Sequence, residues 1–170
     1  MDVHTGAVLS EYLGGAATIP SSVLVGSMLL APSHGISALD LSSDQEEIPM
    51  LWRSRALSPA TASPMVMDNA VFVVNRAGVL TRGSLEGGRR EWQLRLKGPF
   101  SASAVGFGTV QYWVNEKGLL QVVDVAQDEG AVVSQLDLGQ QVLGTPSIAN
   151  GGLYIRSDST LWKIGKAPIL

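Results

Sequence analysis

His4 and His34 are the only histidines of the chain, and each stands at a turn, one ahead of Thr5-Gly6 and one ahead of Gly35. A zinc site draws several such ligands together. Neither histidine has a carboxylate at ligand spacing, so both read as turn residues. Cysteine is absent, which removes thiolate metal sites, disulfides and thiol nucleophiles. A serine-histidine-aspartate triad assembles across a fold, so spacing alone does not forbid one. The glycine-x-serine-x-glycine elbow that often presents such a serine does not occur. Gly106-Phe107-Gly108 lacks the third glycine, the lysine and the following helix of a phosphate loop, and reads as a tight turn. Asp44-Gln45-Glu46-Glu47 offers carboxylates of the kind calcium takes, but a solvated loop is the plainer reading. No catalytic, cofactor-binding or metal-binding residue is assigned. One charged feature stands out. Arg76, Arg82, Arg89, Arg90, Arg95 and Lys97 put six of the twelve basic residues into 22 positions, opposed locally by Glu86 and Glu91. Arg76, Arg82, Arg89 and Arg90 form a candidate docking patch for an acidic partner or polyanion, with solubilising charge as the simpler alternative.

The elements that would carry these residues are short and apolar. Of 170 residues, 45 % are hydrophobic and 16 % charged, so a folded core is expected and disorder is not. A formal net charge of −3 gives no general attraction to nucleic acid or an anionic membrane. The longest apolar runs are about six residues, well short of the roughly 20 of a membrane-spanning helix, so no membrane insertion is expected. Residues 1–15 show no basic region followed by an apolar core and do not read as a signal peptide. The compartment stays open.

A repeat organises the chain. Ser21, Ser63, Ser103 and Thr145 are separated by steps of 42, 40 and 42, and a large apolar residue follows each by nine positions: Leu30, Phe72, Tyr112 and Tyr154. A second series, Leu9, Trp52, Trp92 and Val133, steps by 43, 40 and 41. Within the second unit, residues 63–68, 70–75, 78–85 and 90–96 read as four strands, with turns at Asp68-Asn69, Arg76-Ala77-Gly78 and Glu86-Gly87-Gly88. No stretch of ten or more residues has a helical period. A period near 41 with four strands per unit describes the blade of a β-propeller. The fold class is therefore all-β, with about four blades of four antiparallel strands over units 17–55, 56–96, 97–138 and 139–165. Leu9, Trp52, Trp92, Tyr112 and Tyr154 are assigned to packing between blades.

Asp2-Val3-His4-Thr5-Gly6, Ala38-Leu39-Asp40 and Leu51-Trp52-Arg53 resemble the pyrroloquinoline-quinone-like propeller repeat, a leucine-aspartate strand, a threonine-glycine turn and a tryptophan-bearing strand. Asp40 and Asp124 are similar to its aspartate, although both have lost the threonine-glycine. The family includes quinone-dependent alcohol dehydrogenases, the propeller lipoprotein of the outer-membrane assembly machinery and many envelope proteins. The dehydrogenase branch implies calcium, an acidic base and often adjacent cysteines on the quinone, and no residue here matches that set. The resemblance thus implies a non-catalytic scaffold or protein-interaction module without a cofactor. The alternative is a fragment of a quinone-dependent oxidoreductase whose catalytic residues lie in upstream blades.

Met1-Asp2-Val3 reads as the tail of a third strand, and residues 7–13 as a lone fourth strand. Either that strand pairs with the last unit and closes a four-bladed ring, or the chain is the C-terminal half of a larger ring. The second is preferred, because a start inside a turn motif fits an internal methionine or a truncated gene model. Upstream blades with a signal peptide would imply an extracytoplasmic location. An open half needs a protein partner, or a second copy of the chain to close the ring. Charge reversal at Arg89 and Arg90 should weaken binding of an acidic partner in a solution binding assay, and unchanged binding would dismiss the patch.

Overall fold

Ala70-Val71-Phe72-Val73-Val74 is an unbroken apolar run, and all five residues are buried. Side chains alternate between the two faces of a strand, so such a run needs cover on both. Val71 and Val73 pack with Leu30, Ile36 and Leu57 on one side, and Ala70, Phe72 and Val74 with Trp92, Trp113 and Val123 on the other. The strand therefore belongs to a sheet held between two further sheets. The computed structural model describes residues 2–43, 45–126 and 128–165.

Those residues form four antiparallel sheets in a partial β-propeller. Blade 1 comprises β1 (Val23–Val25), β2 (Met28–Pro32), β3 (Ile36–Asp40) and β4 (Met50–Ser54). Blade 2 comprises β5 (Met65–Met67), β6 (Ala70–Val74), β7 (Val79–Ser84) and β8 (Arg90–Arg95). Blade 3 comprises β9 (Val105–Phe107), β10 (Val110–Val114), β11 (Leu119–Asp124) and β12 (Ala131–Asp137). Blade 4 has three strands, β13 (Ser147–Ala149), β14 (Gly152–Arg156) and β15 (Leu161–Gly165). Every sheet is a meander, each strand pairing with the next in sequence. The two-residue turn Asp68-Asn69 joins β5 to β6 with both φ angles positive (48° and 59°), the backbone whose twist suits a tight hairpin. At the turn after β6, Asn75 Oδ1 accepts from the N–H groups of Ala77 and Val79, and Asn115 makes the same pair of bonds with Lys117 and Leu119 one blade later.

The hydroxyl series has a structural cause. The Ser21 N–H donates to Ser63 Oγ at 2.9 Å, the Ser63 N–H to Ser103 Oγ at 2.8 Å, and the Ser103 N–H to Thr145 Oγ1 at 3.1 Å. Each hydroxyl thus receives the backbone of the preceding unit and ties consecutive blades together. No bond joins Thr145 back to Ser21 among the described residues.

Residues 7–13 do not become the fourth strand of the last blade. They form no strand, and Glu11 makes only an isolated parallel bridge with Glu47, its N–H donating to Glu46 O at 2.9 Å while Ile48 N–H donates back to Glu11 O. The Tyr12 hydroxyl explains this placement. It donates to Ser37 Oγ and accepts from Arg53 Nη2 at 2.6 Å, over the face of β3 turned away from blade 2. Ser37 and Leu39 are buried on that face. The N-terminal arm thus covers blade 1, and Leu9, assigned above to blade packing, is 62 % exposed. Ahead of the arm, Asp2 Oδ1 accepts from Thr5 N–H and Oγ1 and from His4 N–H, closing the turn; Met1 lies outside the described residues.

Phe72→Ala should cost about 3–5 kcal/mol, because Phe72 is fully enclosed beside Trp92, and Ser103→Ala about 1 kcal/mol for one lost hydrogen bond. The midpoints of urea unfolding check both. The Thr5 backbone and hydroxyl, then the His4 N–H, hold the Asp2 carboxyl below the ordinary aspartate value, and the Ser42 hydroxyl and N–H do the same for Asp40. A depressed carboxyl supports the folded turn above the unfolded-state value and loses that support as pH falls through the lowered one. Carboxyl-carbon NMR titration should place both midpoints below that of a free aspartate.

Candidate functional site

The junctions between blades show where the molecule is complete and where it is not. Trp52 lies on β4, opposite Ala38, and its Nε1–H donates to Leu85 O of blade 2 at 3.1 Å. Its ring rests on Gly88 in the β7–β8 hairpin, where any Cβ would collide with the indole. Trp92 on β8, opposite Arg82, repeats the ring-on-glycine contact against Gly130 in the β11–β12 hairpin. At both junctions a tryptophan from one outer strand wedges against a glycine in the next outer hairpin.

The third junction lacks both parts. Each outer strand carries a bulge at this point, between Ala38 and Leu39, Arg82 and Gly83, and Val122 and Val123 of its partner. The bulge shifts the count by one, so the residue opposite Val122, in the place of Trp52 and Trp92, is Ser134 and not Val133. Val133 stands with Leu51 and Glu91 as the extra residue of the bulge. A hydroxymethyl group thus replaces an indole. On the blade 4 side, β15 is the last strand of its sheet, and no outer hairpin stands over Ser134 among the described residues.

The result is a cleft of about 780 Å³ between blades 3 and 4. Its floor is made by Tyr112, Leu120, Ile148, Leu153 and Ile164, and Phe107 and Leu136 stand on its rim. Phe107 is 72 % exposed and Leu136 44 %. No charged side chain among the described residues lines it. Ser134 and Tyr112 supply its side-chain hydroxyls and Gln135 and Asn150 its side-chain amides, and the remaining side chains of its described lining are apolar.

The charged candidates separate. Arg82 lies in the middle of β7, its guanidinium 5.8 Å from the Phe72 ring centroid. It pairs with Glu91 at 2.8 Å and donates through Nη1 to Val125 O of blade 3 at 3.1 Å. It is a strut between blades whose side chain stays 23 % exposed. Arg76 sits in the β6–β7 turn and Arg89 in the β7–β8 turn, at opposite ends of a six-residue strand, roughly 20 Å apart. Arg89 and Arg90 remain adjacent and exposed, Arg90 within 3.5 Å of Gln93 Oε1. Tyr112 lines the cleft, whereas Tyr154 faces the other side of blade 4 beneath Lys163. His34 occupies a left-handed turn position, and Phe107-Gly108 lies at the β9–β10 hairpin. No group of three or more histidine, aspartate or glutamate side chains gathers as a metal site among the described residues; Asp44 lies outside them. No helix among the described residues is long and apolar enough to cross a membrane.

No protein-family model and no curated protein matches the chain. Among solved structures it is similar to BamB from Moraxella catarrhalis, at 17 % identity over 85 % of this chain and 43 % of that one, with a TM-score of 0.65. It is similar to the computationally designed Ika8 protein at 14 % identity over 92 % of this chain and 49 % of that one, with a TM-score of 0.65. For the computationally designed Ika4 protein the values are 13 % identity, 94 % and 99 % coverage and a TM-score of 0.67. These likenesses are of fold. The chain spans under half the length of BamB and of Ika8 and nearly all of Ika4.

Ser134→Trp should fill part of the open junction and raise stability by about 1 kcal/mol through buried apolar area. A thermal melt checks this, with Ser134→Ala as the neutral control.

Proposed function

We propose that the chain is a non-catalytic propeller scaffold that binds a protein partner at the unfilled junction of blades 3 and 4 and the outer edge of β15. The single observation that carries this reading is internal. Two junctions of the same molecule are closed by tryptophan on glycine, and the third presents Ser134 above an apolar floor. Apolar surface lying beside a strand edge that no described residue pairs suits an extended segment, whose backbone pairs with the edge while alternate side chains enter the cleft. The resemblance to the quinone-type repeat family supports a scaffold in the same general sense. Arg89 and Arg90, exposed on the outer hairpin of blade 2, form a separate charged surface for an acidic partner.

Labelled extended peptides with bulky apolar residues at alternate positions should bind the chain in fluorescence anisotropy. Ser134→Trp should weaken that binding by about tenfold, or 1.4 kcal/mol, whereas the double variant Arg89→Glu/Arg90→Glu should leave it unchanged. Absence of peptide binding, or binding indifferent to Ser134→Trp, overturns the reading.

A further inference from the structure

Resting on that reading of blade 4, we propose that its partner is a second copy of this chain, joined by a two-fold axis. Residues 7–13 of each copy add as the outer strand of the other's blade 4.

The hydroxyl ladder gives the first argument. Each unit passes its backbone N–H to the hydroxyl of the next unit, and the series runs from Ser21 to Thr145. One end of the arc therefore presents the Thr145 N–H, and the other presents the Ser21 hydroxyl. A donor at one end and an acceptor at the other are complementary between copies, and a two-fold axis satisfies both at once.

The second argument is the missing strand. Blades 1 to 3 each have four strands, and blade 4 stops at β15 among the described residues. Residues 7–13 occupy an outer-strand position in the repeat, since Leu9 precedes Trp52 by 43 residues. In the single chain they find no strand partner. Val8 is 72 % exposed, Leu9 62 % and Leu13 72 %, and the segment is held beside blade 1 by the bridge at Glu11 and by the Tyr12 hydroxyl on Ser37 and Arg53. Gly14 and Gly15 follow, with Gly15 at φ +75°, before the chain is pinned to blade 1 by the Ala17 N–H on Pro32 O. The arm is thus anchored three blades from its own blade 4 and lies at the end of the arc that a second copy's blade 4 would meet.

On association, residues 7–13 run antiparallel to the partner's β15, turning one face to the cleft beside Ser134 and the other toward their own blade 1. The unpaired edge and the exposed apolar residues are covered together.

Light scattering on the full chain at rising concentration should give twice the single-chain mass. Val8→Lys/Leu9→Lys changes residues that are exposed in the single chain, so the variant should fold; it should associate about tenfold more weakly or worse. A synthetic peptide of residues 7–13, added in excess, should bind this variant and should convert the unaltered dimer to single chains. A chain that stays monomeric at every concentration, or a dimer indifferent to Val8→Lys/Leu9→Lys, overturns the proposal. If it falls while unrelated apolar peptides still bind in a Ser134-dependent way, the interaction-module reading stands and only the identity of the partner is lost.

Discussion

A sheet that is apolar on both faces cannot exist alone, and this constraint organises the molecule. β6 sends alternate side chains into two separate cores, and β10 does likewise, with Trp113 toward blade 2 and Val114 toward blade 4. Every blade is therefore stable only between neighbours. Stacking solves the problem for the interior blades and passes it to the ends. The N-terminal arm meets it at blade 1 by laying Tyr12 across Ser37 and Arg53. The described residues supply no corresponding cover beside β15.

Three devices join one blade to the next, each working at a different radius. Near the short inner strands, hydroxyls accept neighbouring backbone N–H groups and set the spacing of consecutive units. Large side chains such as Phe72 and Trp113 fill the middle. Toward the outer strands, tryptophan meets glycine. Arg82 adds a polar strut to the second junction, its guanidinium paired with Glu91 and lying over the Phe72 ring. The third junction keeps the first two devices and lacks the last, which is why the opening lies toward the outside. Its chemistry follows from what the other junctions bury, apolar surface and a strand edge.

The repeat made the fold legible. Serine anchors, apolar residues nine positions on and turn residues between them mark a four-stranded unit, because each has a local physical cause. Asp68 and Asn69 tolerate positive φ, and Asn75 caps its own turn. The site was not legible, because a bulge inserts one residue. Counting places Val133 at the tryptophan position, whereas pairing places Ser134 there. Reading the bulge requires the partner strand, which sequence spacing does not contain. The strut made by Arg82 escaped for a similar reason: its bond to Val125 O of blade 3 depends on which strands face one another.

By itself, then, the sequence determined that this protein is built from four copies of an all-β unit, because alternation, turn chemistry and period are local properties of a chain. Tertiary structure decided which junction is left unfilled, where the N-terminal arm rests and which arginines are exposed. Those outcomes depend on register and on which faces meet, and both arise only when separate segments pack against one another.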